Sequence, residues 1–212
     1  MNKNFFTIGE KAEIEIIINR SRFIARAFPI ADEEEALLYL EQIREEFPDA
    51  THHCYAYVLG RGSTIQRFDD DGEPGGTAGM PILQVILQQG VENVLVVVTR
   101  YFGGIKLGAG GLVRAYSKSA AEVLQKAGKK EMTLSNRGTV SVDYSLWGSL
   151  EYFLRQKGVE ILDIDYKENV TVKVITQMDW KNFSNMIVEL TNGKGVCKFL
   201  DQVYHSWSEM KE

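Results

Sequence analysis

The stretch from Val91 to Ala127 restricts the fold more than any other part of the chain. Val94 to Val98 is an unbroken, mostly β-branched apolar run, the pattern of a strand covered on both faces. Gly103, Gly104, Gly108, Gly110 and Gly111 follow, five glycines in nine residues. They permit positive φ angles and the close approach of another backbone or a ligand. Beyond Gly111, Leu112, Tyr116, Ala120, Val123 and Ala127 recur at a helical period, with Arg114 and Lys118 on the opposite face. The stretch therefore predicts a buried strand, a glycine-rich turn and a helix. Free N–H groups at that helix start, with Arg100, Lys106 and Arg114 nearby, can make an anion site.

The chain around this stretch is long enough for one or two domains, and at 44% hydrophobic residues it can bury a substantial core. A net charge of −5 argues against coating nucleic acid through overall charge. DNA is thus not an expected partner, while a local basic patch stays compatible with the composition. Cys54 and Cys197 have no metal or redox spacing and read as free thiols of a reducing cytosol. Asn4-Phe5-Phe6 runs into Gly9-Glu10-Lys11, unlike a secretory leader, and the apolar runs fall short of the ~20 residues of a membrane span. A cytoplasmic protein without membrane contact is expected.

Taken in order, Ala12–Asn19 and Phe23–Ile30 predict a hairpin turned at Arg20-Ser21-Arg22. Asp32 is a good N-cap, with Glu33, Glu34 and Glu35 in the first turn of a helix that stops before Pro48. His52-His53-Cys54 opens a strand on which His52 and Cys54 share a face and His53 points away. This spacing supports no metal site, although a hydrogen-bonding or catalytic histidine fits. Ala78 to Gln89 predicts a helix stopped by Gly90. Beyond Ala127 the helix breaks at Gly128-Lys129-Lys130. Residues 131–137 are expected to be a linker between a first domain of residues 1–130 and a second of residues 138–212. The second reads β-α-β-β-α-β, the ferredoxin-like arrangement, and carries no catalytic cluster.

Between Ile65 and Gly79 lies an acid-rich turn or loop with Asp69, Asp70, Asp71 and Glu73, followed by Pro74-Gly75-Gly76. It fails the calcium-loop pattern, because counting from Asp69 puts Pro74 sixth and Met80 twelfth. Two readings stay open: carboxylates bonding local backbone N–H groups, or a functional acidic loop facing the glycine-rich turn. The glycine stretch itself lacks the lysine and hydroxyl of a P-loop, since Ala109-Gly110 follow Gly108. It also lacks the third glycine of a dinucleotide fingerprint, where Val113 stands.

Arg67-Phe68-Asp69-Asp70-Asp71-Gly72-Glu73-Pro74-Gly75-Gly76-Thr77-Ala78-Gly79, together with Val97 through Tyr116, resembles the two long motifs of the YigZ/IMPACT family. Ser21-Arg22-Phe23-Ile24 and His53-Cys54-Tyr55-Ala56-Tyr57 also look like that family. The resemblance spans most of residues 1–130. It implies an α+β protein with an N-terminal α/β domain similar to domain IV of elongation factor G. The C-terminal ferredoxin-like βαββαβ domain would be similar to domain V of that factor. Eukaryotic relatives carry a different N-terminal partner-binding domain and regulate translation under amino-acid starvation. What the resemblance implies for this chain is association with the translation machinery.

The residues and the resemblance together predict a non-enzymatic translation and stress regulator. It would bind RNA or a ribosome-associated protein, with no cofactor and no metal. The expected anion-binding and nucleic-acid-binding residues are Arg67, Arg100, Tyr101, Lys106, Gly108, Gly110, Gly111, Arg114 and Lys118. The alternative is an enzyme acting on a phosphorylated small molecule, with its phosphate on Gly108–Gly111 and Asp69, Asp70, Asp71 or Glu73 holding Mg²⁺ or acting as base. The sequence leaves the oligomeric state open.

Overall fold

The computed structural model describes residues 4–60 and 65–207. The chain is mixed α+β, with two antiparallel sheets and five helices among those residues. It separates into one compact unit of Phe5–Glu131 and another built from Met132 onward.

In the first unit, β1 (Phe5–Ile8) precedes the hairpin of β2 (Ala12–Ile18) and β3 (Ser21–Pro29). The hairpin turns on Asn19 and Arg20, both at positive φ (47° and 65°), which matches the twist of the paired strands. Then follow α1 (Glu33–Glu46), β4 (His52–Leu59), β5 (Ile65–Asp69), α2 (Gly79–Gln89), β6 (Val94–Tyr101) and α3 (Ala109–Ala127). The sheet order is β2-β3-β6-β4-β5, and every pairing is antiparallel.

The apolar run of β6 makes it the central strand, and Val94 to Arg100 are buried throughout. Its residues alternate between two cores, as a doubly covered strand requires. Val94, Val96 and Val98 join Phe23, Ala25, Cys54 and Ala56 under α2 and α3. Leu95 and Val97 join Tyr57 and Leu59 under α1. Asp32 caps α1 by accepting from the Glu35 N–H at 2.9 Å. A strand absent from the sequence reading, β5, occupies the start of the acid-rich stretch. Its polar Gln66, Arg67 and Asp69 lie on a largely exposed edge, where the alternation that marks a strand is lost.

The second unit contains α4 (Tyr144–Gln156), β8 (Glu160–Tyr166), β9 (Val170–Thr176), α5 (Trp180–Leu190) and β10 (Val196–His205). With β7 (Lys129–Val142) they follow the order β-α-β-β-α-β, and the strands lie β10-β7-β9-β8. One core gathers Val140, Val172 and Val174 with Leu150, Leu154, Phe183 and Ile187 from the two helices. Gly138 lets the Trp180 ring lie on β7, where an added Cβ would stand 2.1 Å from that ring.

The expected linker is strand. β7 runs without interruption through residues 131–137. Gly128, at φ 69°, ends α3, but the following polar residues alternate with half-buried ones and extend directly into the sheet.

Candidate functional site

The site grows from one register. In the first sheet, His52 of β4 and Phe23 of β3 both stand opposite Arg100 of β6. Alternation places all three on the α2/α3 face, next to Cys54 and Val98. Arg100 is therefore carried into the core by the strand, with only 6% of its side chain exposed. A buried guanidinium requires a partner, and Glu73 supplies it: Arg100 Nη1 donates to Glu73 Oε1 at 2.5 Å. The Tyr116 hydroxyl, from the buried stripe of α3, donates to the same oxygen at 2.7 Å. Arg100 Nη2 donates to Ser21 Oγ at 3.3 Å, while the buried Nε–H finds no acceptor among the described residues. An unmade bond of that kind costs about 1–3 kcal/mol.

The acid-rich loop delivers Glu73 to this place. Asp70 Oδ1 accepts from the N–H groups of Ala78 and Gly79 (3.0 and 2.8 Å), and Oδ2 accepts from Gly76 N–H at 2.7 Å. Asp70 thus caps α2 from eight residues upstream of its N-cap position, Ala78, whose own side chain cannot. Asp71 Oδ2 accepts from His53 N–H at 2.6 Å, and Asp69 Oδ1 accepts from Asp71 N–H at 2.6 Å. The loop turns at Asp71 and Gly72, both at positive φ. The three aspartates are engaged by backbone amides, and Glu73 alone of the four acids enters the buried cluster. Among the described residues no group of three or more His, Cys, Asp or Glu side chains is arranged to hold a metal ion.

His52 Nδ1 lies 2.7 Å from the Asp71 carbonyl oxygen, so this nitrogen carries the proton. Nε2 is left on the side of Glu73, 3.9 Å from Oε1. Cys54 Sγ lies 3.0 Å from the Asp70 carbonyl and 3.4 Å from the Tyr116 hydroxyl. Burial pushes both the Cys54 thiol and the Tyr116 hydroxyl well above their ordinary values, so both stay protonated and the thiol is inert.

Beside this cluster opens a groove of about 420 Å³. Arg100, Glu73 and His52 bring polar groups to its lining, and Phe102, Leu107 and Leu112 bring apolar ones. Gly108 and Ala109 bring the start of α3 to it. Gly108 (φ 71°) enters the helix with no side-chain cap, and the first turn holds no acid. Gly103 packs directly on the hairpin turn, where an added Cβ would stand 2.0 Å from the Arg20 backbone. That contact, with Gly103 N–H donating to Ser21 Oγ, ties the glycine-rich turn to β3.

The expected cations do not form one cluster. Lys106 lies at the groove, and the Arg114 guanidinium sits close to Gly110 in the first turn of α3. Lys118 stands a turn further on and pairs with Glu122 at 3.7 Å. Arg67 is on the other face of the sheet, opposite Tyr57 and 3.9 Å from Glu33 of α1. Tyr101 also faces away, its hydroxyl donating to Asp49, whereas Phe102 is half-exposed at the groove. Sequence reasoning did not find Ser21 or Tyr116. A usable signal existed: an arginine ending a strand of buried valines must meet a carboxylate, and a tyrosine in a buried stripe must place its hydroxyl.

Residues 19–124, which hold this entire site, match the model of the Impact N-terminal domain, and residues 140–194 match a domain of unknown function, DUF1949. IMPACT family member YvyE of Bacillus subtilis is 43% identical over 199 residues, 93% of this chain and 92% of that protein. The chain belongs to the IMPACT family. Family member YigZ of Escherichia coli is 38% identical over 159 residues, covering 74% of this chain and 78% of its own. A crystal structure of a hypothetical protein is 32% identical, with a TM-score of 0.63, covering 95% of this chain and 98% of its own. The IMPACT match runs from the hairpin turn through most of α3, so the Arg100–Glu73–Tyr116 cluster and the groove both fall within it.

Proposed function

We propose that this IMPACT family protein regulates translation by binding RNA, or a protein associated with the ribosome, through its first unit and without catalysis. One observation carries the reading. The start of α3 offers the amides of Ala109, Gly110 and Gly111 with no capping side chain, between Lys106 and Arg114 and beside the half-exposed Phe102. Helix-start amides and cations attract phosphate, and an exposed ring accepts a base. The family resemblance, which implies work on the translation machinery, agrees with that chemistry.

The test is RNA affinity measured across salt concentrations. Phosphate contacts make log K fall linearly with log salt, by about 0.7 per neutralised phosphate on a single strand. Lys106→Gln and Arg114→Gln should each flatten the slope by about that amount. A nuclease-treated pull-down separates the RNA contact from a protein contact. If neither RNA nor ribosomal complexes are retained, the proposal is wrong.

A second reading, an enzyme acting on a phosphorylated small molecule, is favoured by His52, whose anchored ring keeps Nε2 free beside Glu73. In that reading His52 or Glu73 is the base. Asp69, Asp70 and Asp71 would have to release their amide partners to hold Mg²⁺. Turnover of a phosphorylated compound, abolished by His52→Gln, would establish it.

A further inference from the structure

We propose that the groove takes one unpaired nucleotide, with its phosphate at the start of α3 and its base against Phe102. The inference rests on the reading that the first unit binds RNA, and it specifies what part of an RNA is held.

The helix start is chemically unfinished: no side chain caps it, and no acid stands in its first turn. An oxyanion is the group such amides bind. Arg100, which lines the same groove, is more than nine-tenths buried, and its Nε–H finds no acceptor among the described residues. Its charge is matched by Glu73, so the carboxylate there does not confront the ligand as a free negative charge. Lys106 adds an exposed cation at the groove.

Part of the groove lining is apolar. Phe102 is 48% exposed, and Leu107 and Leu112 stand with it. The backbone N–H of Phe102 donates to Thr51 Oγ1 at 3.0 Å, which anchors the main chain, and the Arg100 guanidinium lies 5.5 Å from the ring centroid. A ring held open beside an anion site suits a base attached to its phosphate. The volume, about 420 Å³, is that of a small-ligand pocket. Within a duplex the faces of paired bases are covered by their neighbours in the stack, so only its ends could offer one to Phe102.

The experiment compares a single-stranded RNA octamer, a duplex containing the same sequence, and free uridine and adenosine monophosphates, by fluorescence anisotropy and competition on the full chain. The strand should bind at least tenfold more tightly than the duplex, and the monophosphates should displace it. Phe102→Ala should weaken strand binding about tenfold or more, as loss of one stacked base does, while Phe102→Trp retains it. Gly110→Asp puts an acid into the first turn, which favours the helix and opposes a phosphate. An added Cβ there meets only the Arg114 side chain, at 3.6 Å. This variant should keep its melting temperature and lose binding about tenfold or more. Duplex binding equal to strand binding, or strand binding indifferent to both Phe102→Ala and Gly110→Asp, overturns the inference while RNA binding by the first unit stands. If the parent protein binds none of these nucleic acids, the nucleotide site and the RNA reading fall together.

Discussion

Arg100 is held in the core by a carboxylate that arrives from 27 positions earlier in the chain. Glu73→Gln removes the compensating charge while leaving the shape, and a buried pair broken in this way loses about 3–5 kcal/mol. Urea unfolding should show that loss, and a change under about 1 kcal/mol would contradict the burial of the pair. Cys54 predicts a second outcome: a thiol reagent at pH 8 should modify it only after unfolding, because the side chain is buried and its ionisation suppressed. His53 gives a pH dependence. Burial is the main cause that lowers its ionisation below the ordinary 6.5. The unfolded chain therefore binds more protons than the folded one just below that value. Stability present above pH 6.5 should decline as the pH falls below it, and should level off once the folded histidine is also charged. A urea midpoint unchanged between pH 7.5 and 5.5, or unaltered in its pH dependence by His53→Asn, would exclude this role. The sequence made the sharing of one face by His52 and Cys54 legible, because strand alternation is a local rule. It hid the Glu73–Arg100–Tyr116 cluster, because three distant segments meet there.

Between elements, the acid-rich loop acts as a remote cap. Ala78 occupies the N-cap position of α2 and has no acceptor to offer, so Asp70 serves its amides across the loop. Asp70→Ala leaves three amides without this acceptor and should destabilise the first unit by about 2 kcal/mol. It should also weaken whatever depends on Glu73, since the same loop positions both. Thermal unfolding of the variant measures the first effect. Of the two readings open for the loop, the structure gives Asp69, Asp70 and Asp71 to the backbone amides and separates Glu73 from them. Most elements were legible from periodicity: the β2–β3 hairpin, α1, and the whole β-α-β-β-α-β order of the second unit. β5 was not, because an exposed edge strand has little alternation to show. The strand over residues 131–137 was not either, because a helix-breaking Gly-Lys-Lys also reads as the start of a linker.

Over the first unit as a whole, the cations the sequence grouped together are distributed by the sheet. Arg67 goes with the α1 face, while Lys106 and Arg114 stay with α3. The two covers of this sheet are themselves unlike. α1 carries six acids and one arginine, whereas α3 carries three cations and one acid. A central sheet with an acidic helix behind and a basic helix in front is an electric dipole. In the field of a polyanion such a body feels a torque before it touches anything, and it approaches basic side first. Net charge alone, at −5, would predict only repulsion. Neutralising the exposed Glu34, Glu41 and Glu45 together should raise the association rate with RNA at low salt and leave the dissociation rate unchanged, as stopped-flow mixing can measure. The acids of α1 then fix which side of the sheet faces a polyanion, and slow its approach while doing so.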